Sequence, residues 1–157
     1  MTVSLFPTRR ATYVLAGGVV AATLDITYAW VFWALKAGVS AQRIFQSVAA
    51  GLLGQASFDG GAATAMLGLA LHYFIATTMS VAYYLFTSRY VVLHRRPVLY
   101  GAAYGLLLYA IMNYVVVPLS AAGRGSRDPQ WIALTVAVHM LFIGIPIALA
   151  ARRAHQA

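Results

Sequence analysis

Long apolar segments separated by short polar ones form the main pattern along the chain. Four runs are long enough to cross a bilayer of about 30 Å as α-helices, at about 20 residues a span. They lie at 11–35, 62–86, 98–117 and 131–150. A membrane span must satisfy its own backbone polar groups, and no run alternates apolar and polar residues as a barrel strand does. The pattern predicts an all-α integral membrane four-helix bundle, with residues 1–157 as a single transmembrane domain.

A shorter helix is predicted between the first and second spans, over residues 40–53. Apolar residues recur there at helical spacing, and Ser40 is suited to cap the first turn. The predicted apolar face consists of Ile44, Phe45, Val48 and Leu52. The residues placed elsewhere on the helical wheel are Arg43, Gln46 and Ser47. This pattern is typical of an amphipathic helix in the membrane interface, and a re-entrant segment is the alternative.

Composition agrees with a membrane protein. Of the 157 residues, 62% are hydrophobic and 9% are charged, whereas a soluble domain carries about 25% charged residues. The formal net charge is +8, but the basic residues are scattered in ones and twos at the ends of the spans. A nucleic-acid surface needs a clustered basic stripe, so we expect the lipid bilayer as partner and no nucleic acid.

Basic residues also predict the orientation. Seven lie at the N-terminus, at the C-terminus and between the second and third spans, against four in the other two loops. The seven are Arg9, Arg10, Arg89, Arg95, Arg96, Arg152 and Arg153, and the four are Lys36, Arg43, Arg124 and Arg127. The positive-inside rule therefore places both termini in the cytoplasm. Aromatic residues near the span ends, among them Trp33 and Trp131, are expected to act as interface anchors.

Each predicted span carries one strongly polar side chain well inside its ends. The four residues are Asp25, His72, Asn113 and His139. At about 1.5 Å per residue, they lie roughly 16 to 23 Å from the cytoplasmic boundary of their spans. Polar groups at this depth face the protein interior, because contact with lipid costs several kcal/mol. The sequence therefore predicts one buried polar layer.

Small residues accompany this layer. Four glycines are expected at close helix contacts, namely Gly18, Gly68, Gly101 and Gly105. The last two form a G-x-x-x-G motif, and the same four-residue step continues through Tyr109 to Asn113. Tyr109 is therefore added to the four polar residues as a candidate for ligand binding or proton relay.

Three interpretations of the polar layer stay open. Asp25 is the only carboxylate within the predicted spans, and beside a histidine it could exchange protons near neutral pH. The layer would then bind or pass a proton or a small polar species. Alternatively, it is interhelical hydrogen bonding in an accessory subunit of a membrane complex or in a homo-oligomer.

The third interpretation is a metal ion or a b-type haem held by His72 and His139. We predict no cofactor under the first two interpretations. There is no cysteine, which excludes a disulfide and a thiolate metal site. The chain contains no G-x-S-x-G and no H-E-x-x-H motif, so we do not expect an enzyme.

Short stretches in the last three spans carry a resemblance. LHYFIA lies on the second span, NYVVVPLS closes the third, and the fourth begins at a tryptophan and contains His139. In these stretches the chain resembles small, uncharacterised four-span bacterial inner-membrane proteins and is loosely similar to the YagU-like family. The resemblance implies a bacterial inner-membrane location and brings no catalytic residue with it.

Overall fold

The structure is a computed structural model, and it describes residues 8–123 and 125–157. In chain order its helices are α1 (Thr8–Ala37), α2 (Ala41–Leu53), α3 (Gly61–Arg89), α4 (Val92–Arg95), α5 (Pro97–Leu119) and α6 (Pro129–Gln156). Four of them, α1, α3, α5 and α6, are long and apolar enough to cross a membrane. The predicted all-α bundle is therefore confirmed, and the chain fits a multi-pass membrane protein. Each long helix extends beyond the run predicted for it, because a helix continues past the residues that lie in hydrocarbon.

The connections divide the bundle into two ends. At one end, His94 of α4 lies against His155 of α6, with ring centroids 4.9 Å apart. We call this the terminal end, because α1 begins and α6 ends there. At the other end, the Gly51 carbonyl of α2 accepts a hydrogen bond of 3.0 Å from the Ala121 N–H. We call this the α2 end. Arg124, one of the basic residues of the orientation prediction, lies outside the described residues.

A close-packed core fills the terminal half of the bundle. Val14 of α1, Tyr83 of α3 and Ile147 of α6 are buried there in one apolar cluster. Hydroxyl groups in this half bond to backbone carbonyls, as Ser80 does to Val14 at 2.7 Å. Small residues such as Ala151 let the helices approach closely.

Backbones approach one another at the four glycines singled out in the sequence. A Cβ atom added at any of the four would collide with the backbone of a neighbouring helix. For Gly18, Gly68, Gly101 and Gly105, the residues met are Thr77, Phe45, Gly144 and His139, in that order. These contacts join α1 to α3, α3 to α2, and α5 to α6.

Two of the long helices contain a wide, π-helical turn. The π-helical segments are Met112–Val116 in α5 and His139–Gly144 in α6. Each lies just before a proline, Pro118 and Pro146 respectively. Proline lacks an N–H and its ring clashes with the carbonyl four residues earlier, and a wide turn relieves that clash. Asn113 and His139, two of the four polar residues, therefore lie on non-standard helical backbone.

The short helix α2 begins as predicted but presents a different face to the protein. Ser40 caps it by accepting a hydrogen bond from the Arg43 N–H. Gln46, predicted on the polar side, is only 3% exposed, because its side chain donates to the Gly61 carbonyl of α3 at 3.0 Å. Leu52, predicted on the apolar face, is 64% exposed. The face is rotated because α2 packs on the small and polar first turns of α3.

Candidate functional site

A cavity of about 610 Å³ lies in the α2 half of the bundle. Residues of α1, α3, α5 and α6 form its walls, and residues of α2 and of the loop before α6 line its mouth. The four polar residues predicted from depth all line it, namely Asp25, His72, Asn113 and His139. The fold thus gathers one polar side chain from each of the four long helices around a single space.

Asp25 and His72 lie side by side among the residues that line this space. The Asp25 Oδ2 atom lies 3.8 Å from the His72 Nε2 atom. The same nitrogen is 2.9 Å from the Ala22 carbonyl oxygen, one turn before Asp25 on α1. Because a carbonyl oxygen can only accept, Nε2 carries the hydrogen and donates it. Both side chains are mostly buried but retain contact with the cavity.

His139 is held by its own helix and by an aromatic ring. Its Nδ1 atom lies 3.0 Å from the Thr135 carbonyl oxygen, so this nitrogen is the donor. The ring of Tyr109 stands edge-on to the imidazole, with centroids 5.5 Å apart. Tyr109 packs behind His139 and is not among the described residues that line the cavity. Tyr109 therefore supports the cavity wall, and its role as a ligand or relay group stays a prediction.

Asn113 uses one end of its amide within its own helix. Its Nδ2 group donates to the Tyr109 carbonyl at 3.0 Å. The carbonyl Oδ1 atom accepts no hydrogen bond from the protein residues that the structure describes, and Asn113 is one of the residues that line the cavity. The Asn113 amide is thus oriented with its acceptor available.

An aromatic cluster at the α2 end of the cavity is a part of the site that the sequence does not predict. It consists of Tyr28, Phe32, Trp33 and Trp131, with centroid separations of 5.1 to 6.0 Å between neighbouring rings. Trp33 and Trp131 line the cavity. The Tyr28 hydroxyl lies 3.2 Å from the Thr135 hydroxyl, which ties α1 to α6 beside His139. Sequence position alone identifies the two tryptophans only as interface anchors.

Two basic residues near the mouth are already engaged. The guanidinium of Arg43 lies over the ring of Phe58, 4.5 Å from its centroid. The Lys36 ammonium donates to the Asp128 carboxylate at 2.5 Å. Asp128 also caps α6 by accepting from the Trp131 N–H at 2.9 Å. The hydrogen bond from Lys36, with that from the Trp131 N–H, holds the pKa of Asp128 below its usual value.

The donor atoms around the cavity bear on the metal and haem interpretation. Within residues 8–123 and 125–157, no group of three or more His, Cys, Asp or Glu side chains is placed to hold a metal ion. The nitrogens left over from backbone hydrogen bonds are Nδ1 of His72 and Nε2 of His139. Ligation by these two histidines stays a prediction.

Comparison with known proteins adds no further assignment. No protein-family model matches the chain, and neither the curated proteins nor the solved structures contain a match. The likeness to YagU-like proteins therefore stays a prediction, and the geometry of the cavity is the basis for a function.

Proposed function

We propose that the protein binds a small polar species inside the membrane, in the cavity lined by Asp25, His72, Asn113 and His139. A single observation carries the proposal: polar side chains from all four long helices line one cavity. Within it, the carboxylate of Asp25 and the imidazole of His72 are 3.8 Å apart. Polar groups on membrane helices that surround a cavity are typical of substrate and ion sites. Asp25 and His72 can exchange a proton as the bound species arrives or leaves.

Binding fits the geometry better than an open proton path does. The cavity residues nearest the terminal end are apolar, namely Ala21, Met79 and Ile143. Beyond them lies the close-packed core around Tyr83 and Ile147. A proton path needs a continuous chain of hydrogen-bonding groups or water, and the apolar side chains of this core, such as Val14 and Ile147, do not favour one. The site is therefore reached from the α2 end.

The distribution of charge suggests which side of the membrane that is. The start of α1, the ends of α3 and α6, and the start of α5 share the terminal end, and the seven arginines counted above are located at these positions. By the positive-inside rule, the terminal end is cytoplasmic. With the bacterial inner membrane that the resemblance implies, the cavity would open towards the outside.

A binding screen on the purified protein tests the proposal. Trp33 and Trp131 line the cavity, so a bound solute should change the tryptophan fluorescence and raise the melting temperature. We expect hits among small polar solutes, and we expect Asp25→Asn to lose them, because the amide keeps the shape but removes the charge. Thr78→Val, on the exposed side of α3, is the matched control and should keep them.

Two results would contradict the proposal. One is a set of solutes that change the fluorescence and the melting temperature of the wild type and of Asp25→Asn alike. The other is no change in either quantity with any solute. In the second case, extraction in mild detergent that recovers a stoichiometric protein partner would favour the accessory-subunit interpretation.

A further inference from the structure

Hydrogen bonds orient His72, His139 and Asn113 and leave an acceptor atom on each of these side chains. His72 donates through Nε2 and His139 through Nδ1, each to a backbone carbonyl. In a neutral imidazole the other nitrogen is then an acceptor, which assigns that role to Nδ1 of His72 and Nε2 of His139. Asn113 likewise donates one N–H of its amide to the Tyr109 carbonyl and retains Oδ1 as an acceptor. The carboxylate of Asp25 can only accept.

These acceptors are not sealed within the protein. The buried side-chain atoms without a hydrogen-bond partner, among the described residues, belong to Arg10, Ser57, Tyr83 and His94. The carboxylate of Asp25 and the free atoms of His72, Asn113 and His139 are not among them and belong to residues that line the cavity. The lining of the cavity therefore includes four acceptor groups, one of them a carboxylate.

Hydrogen-bond acceptors around a cavity favour a ligand that is positively charged and that carries hydrogen-bond donors. An anion would place its lone pairs against the carboxylate of Asp25 and the lone pairs of the amide and the imidazoles. A protonated primary amine carries three N–H donors and a positive charge on a compact group. Its N–H groups can donate to the Asp25 carboxylate, and its attraction to Asp25 is strengthened by the low-dielectric walls.

The rest of the cavity suits an apolar group attached to the amine. Trp33 and Trp131 provide indole rings, which bind cations through their faces and apolar groups through dispersion. Other wall residues are apolar, including Ala29, Val48 and Ile75. Arg43 at the mouth disfavours a second positive charge, although its guanidinium is stacked on Phe58. We infer that the ligand is an organic monocation, a protonated primary amine with an apolar body.

This inference rests on the proposed function and specifies the chemical class of the bound species. Asp25 would serve as the counter-ion of the ammonium group and would accept from its N–H groups, and Asn113 and the two imidazoles would add acceptors elsewhere in the lining. The aromatic cluster and the apolar walls would hold the body of the ligand. An amine of two or more positive charges would bind less well than a monoamine of similar size.

A ligand series on the wild-type protein tests the chemistry directly. The probes are 2-phenylethylamine, the neutral 2-phenylethanol, the anion phenylacetate and the quaternary phenethyltrimethylammonium, which keeps the charge but has no N–H donor. Binding is measured in lipid nanodiscs by tryptophan fluorescence and calorimetry, with protein-free nanodiscs correcting for partition into lipid. We expect the primary amine to bind about tenfold more tightly than the alcohol, and phenylacetate not to bind. The quaternary probe should bind between the amine and the alcohol.

Variants then assign the selectivity to the cavity. Asp25→Asn should reduce the affinity for 2-phenylethylamine about tenfold and leave that for 2-phenylethanol unchanged, whereas Thr78→Val should change neither. Equal or tighter binding of the alcohol or of phenylacetate in the wild type would overturn the amine assignment and leave the binding function standing. Failure of all four probes, with failure of the solute screen, would overturn both. The comparison among probes on the wild type does not depend on any variant folding.

Discussion

Three acidic side chains are present in the whole chain, and the structure gives each a different environment. Asp25 lies in the cavity beside His72, and Asp59 is exposed in the turn before α3. Asp128 links α1 to α6 through Lys36 and caps the first turn of α6. Only Asp25 is placed to act on a ligand within the bundle. Asp128 instead holds α1 and the start of α6 together at the α2 end.

Asp128 gives a pH-dependent prediction. Its hydrogen bonds to Lys36 and to the Trp131 N–H lower its pKa below the ordinary 3.8. A folded-state pKa below that of the unfolded chain means stability that is present above the ordinary value and lost as the pH falls through the lowered one. Asp128→Asn should therefore melt at a lower temperature than the wild type at pH 7. The difference should shrink as the pH drops below 3.8.

Asp59→Asn serves as the matched control, because this carboxylate is exposed. Thermal melts in detergent over a series of pH values provide the measurement. If the gap between the wild type and Asp128→Asn were constant down to the lowest pH, the Lys36 contact would not be formed in solution.

At the scale of single residues, the polar layer can be located from the sequence but its surroundings cannot. Depth can be counted along a helix, and this count alone groups Asp25, His72 and His139. Which side of a helix is buried depends on its neighbours, so the helical wheel does not predict that Gln46 of α2 is buried against α3. Trp33 and Trp131 look like interface anchors in the sequence because their tilted ring contact exists only after α1 and α6 are brought together.

Among the elements, α2 depends on a single glycine for its position over the cavity. A Cβ atom on Gly68 of α3 would collide with the Phe45 carbonyl and crowd the Ala49 nitrogen. Backbone cannot move aside as a flexible side chain can, so Gly68→Ala should displace α2. We expect a loss of about 1–3 kcal/mol in the free energy of unfolding, as for other overpacked sites. The measurement is thermal or denaturant unfolding in detergent.

Gly51 within α2 offers a control for this substitution. The atoms nearest to a Cβ added there belong to Ser120, 3.9 Å away. Gly51→Ala should therefore be neutral or stabilise the protein by up to about 1 kcal/mol, through helix propensity alone. Equal destabilisation by both substitutions would mean that α2 does not rest on Gly68.

The helices can largely be predicted from the sequence, but their π-helical segments cannot. Hydrophobic length predicts the four spans, and helical spacing with a capping serine predicts α2. The π-helical segments are not predicted, although Pro118 and Pro146 lie inside or beside the apolar runs and signal a break in helical hydrogen bonding. A hydropathy pattern does not report hydrogen-bond register, so the local widening at Asn113 and His139 appears only in the structure.

At the scale of the whole molecule, the two halves of the bundle differ in how they are filled. The terminal half is packed around Val14, Tyr83 and Ile147, and the α2 half surrounds the cavity. The terminal half is tightly packed because its small residues let the helix backbones touch. This difference in packing is the basis for our proposal that a ligand enters from the α2 end and does not cross the bundle.

This asymmetry can be tested with introduced thiols, because the chain has no cysteine of its own. Ala76 and Ser80 lie one turn apart on α3 and are 7% and 1% exposed, but only Ala76 is among the described residues that line the cavity. A membrane-impermeant methanethiosulfonate reagent should label Ala76→Cys about tenfold or more faster than Ser80→Cys, since reaction needs an accessible thiolate. With the termini in the cytoplasm, labelling should occur from outside intact cells. Labelling of Ala76→Cys only in inverted vesicles would reverse the orientation, and equal rates for the two variants would mean that the terminal half opens to water.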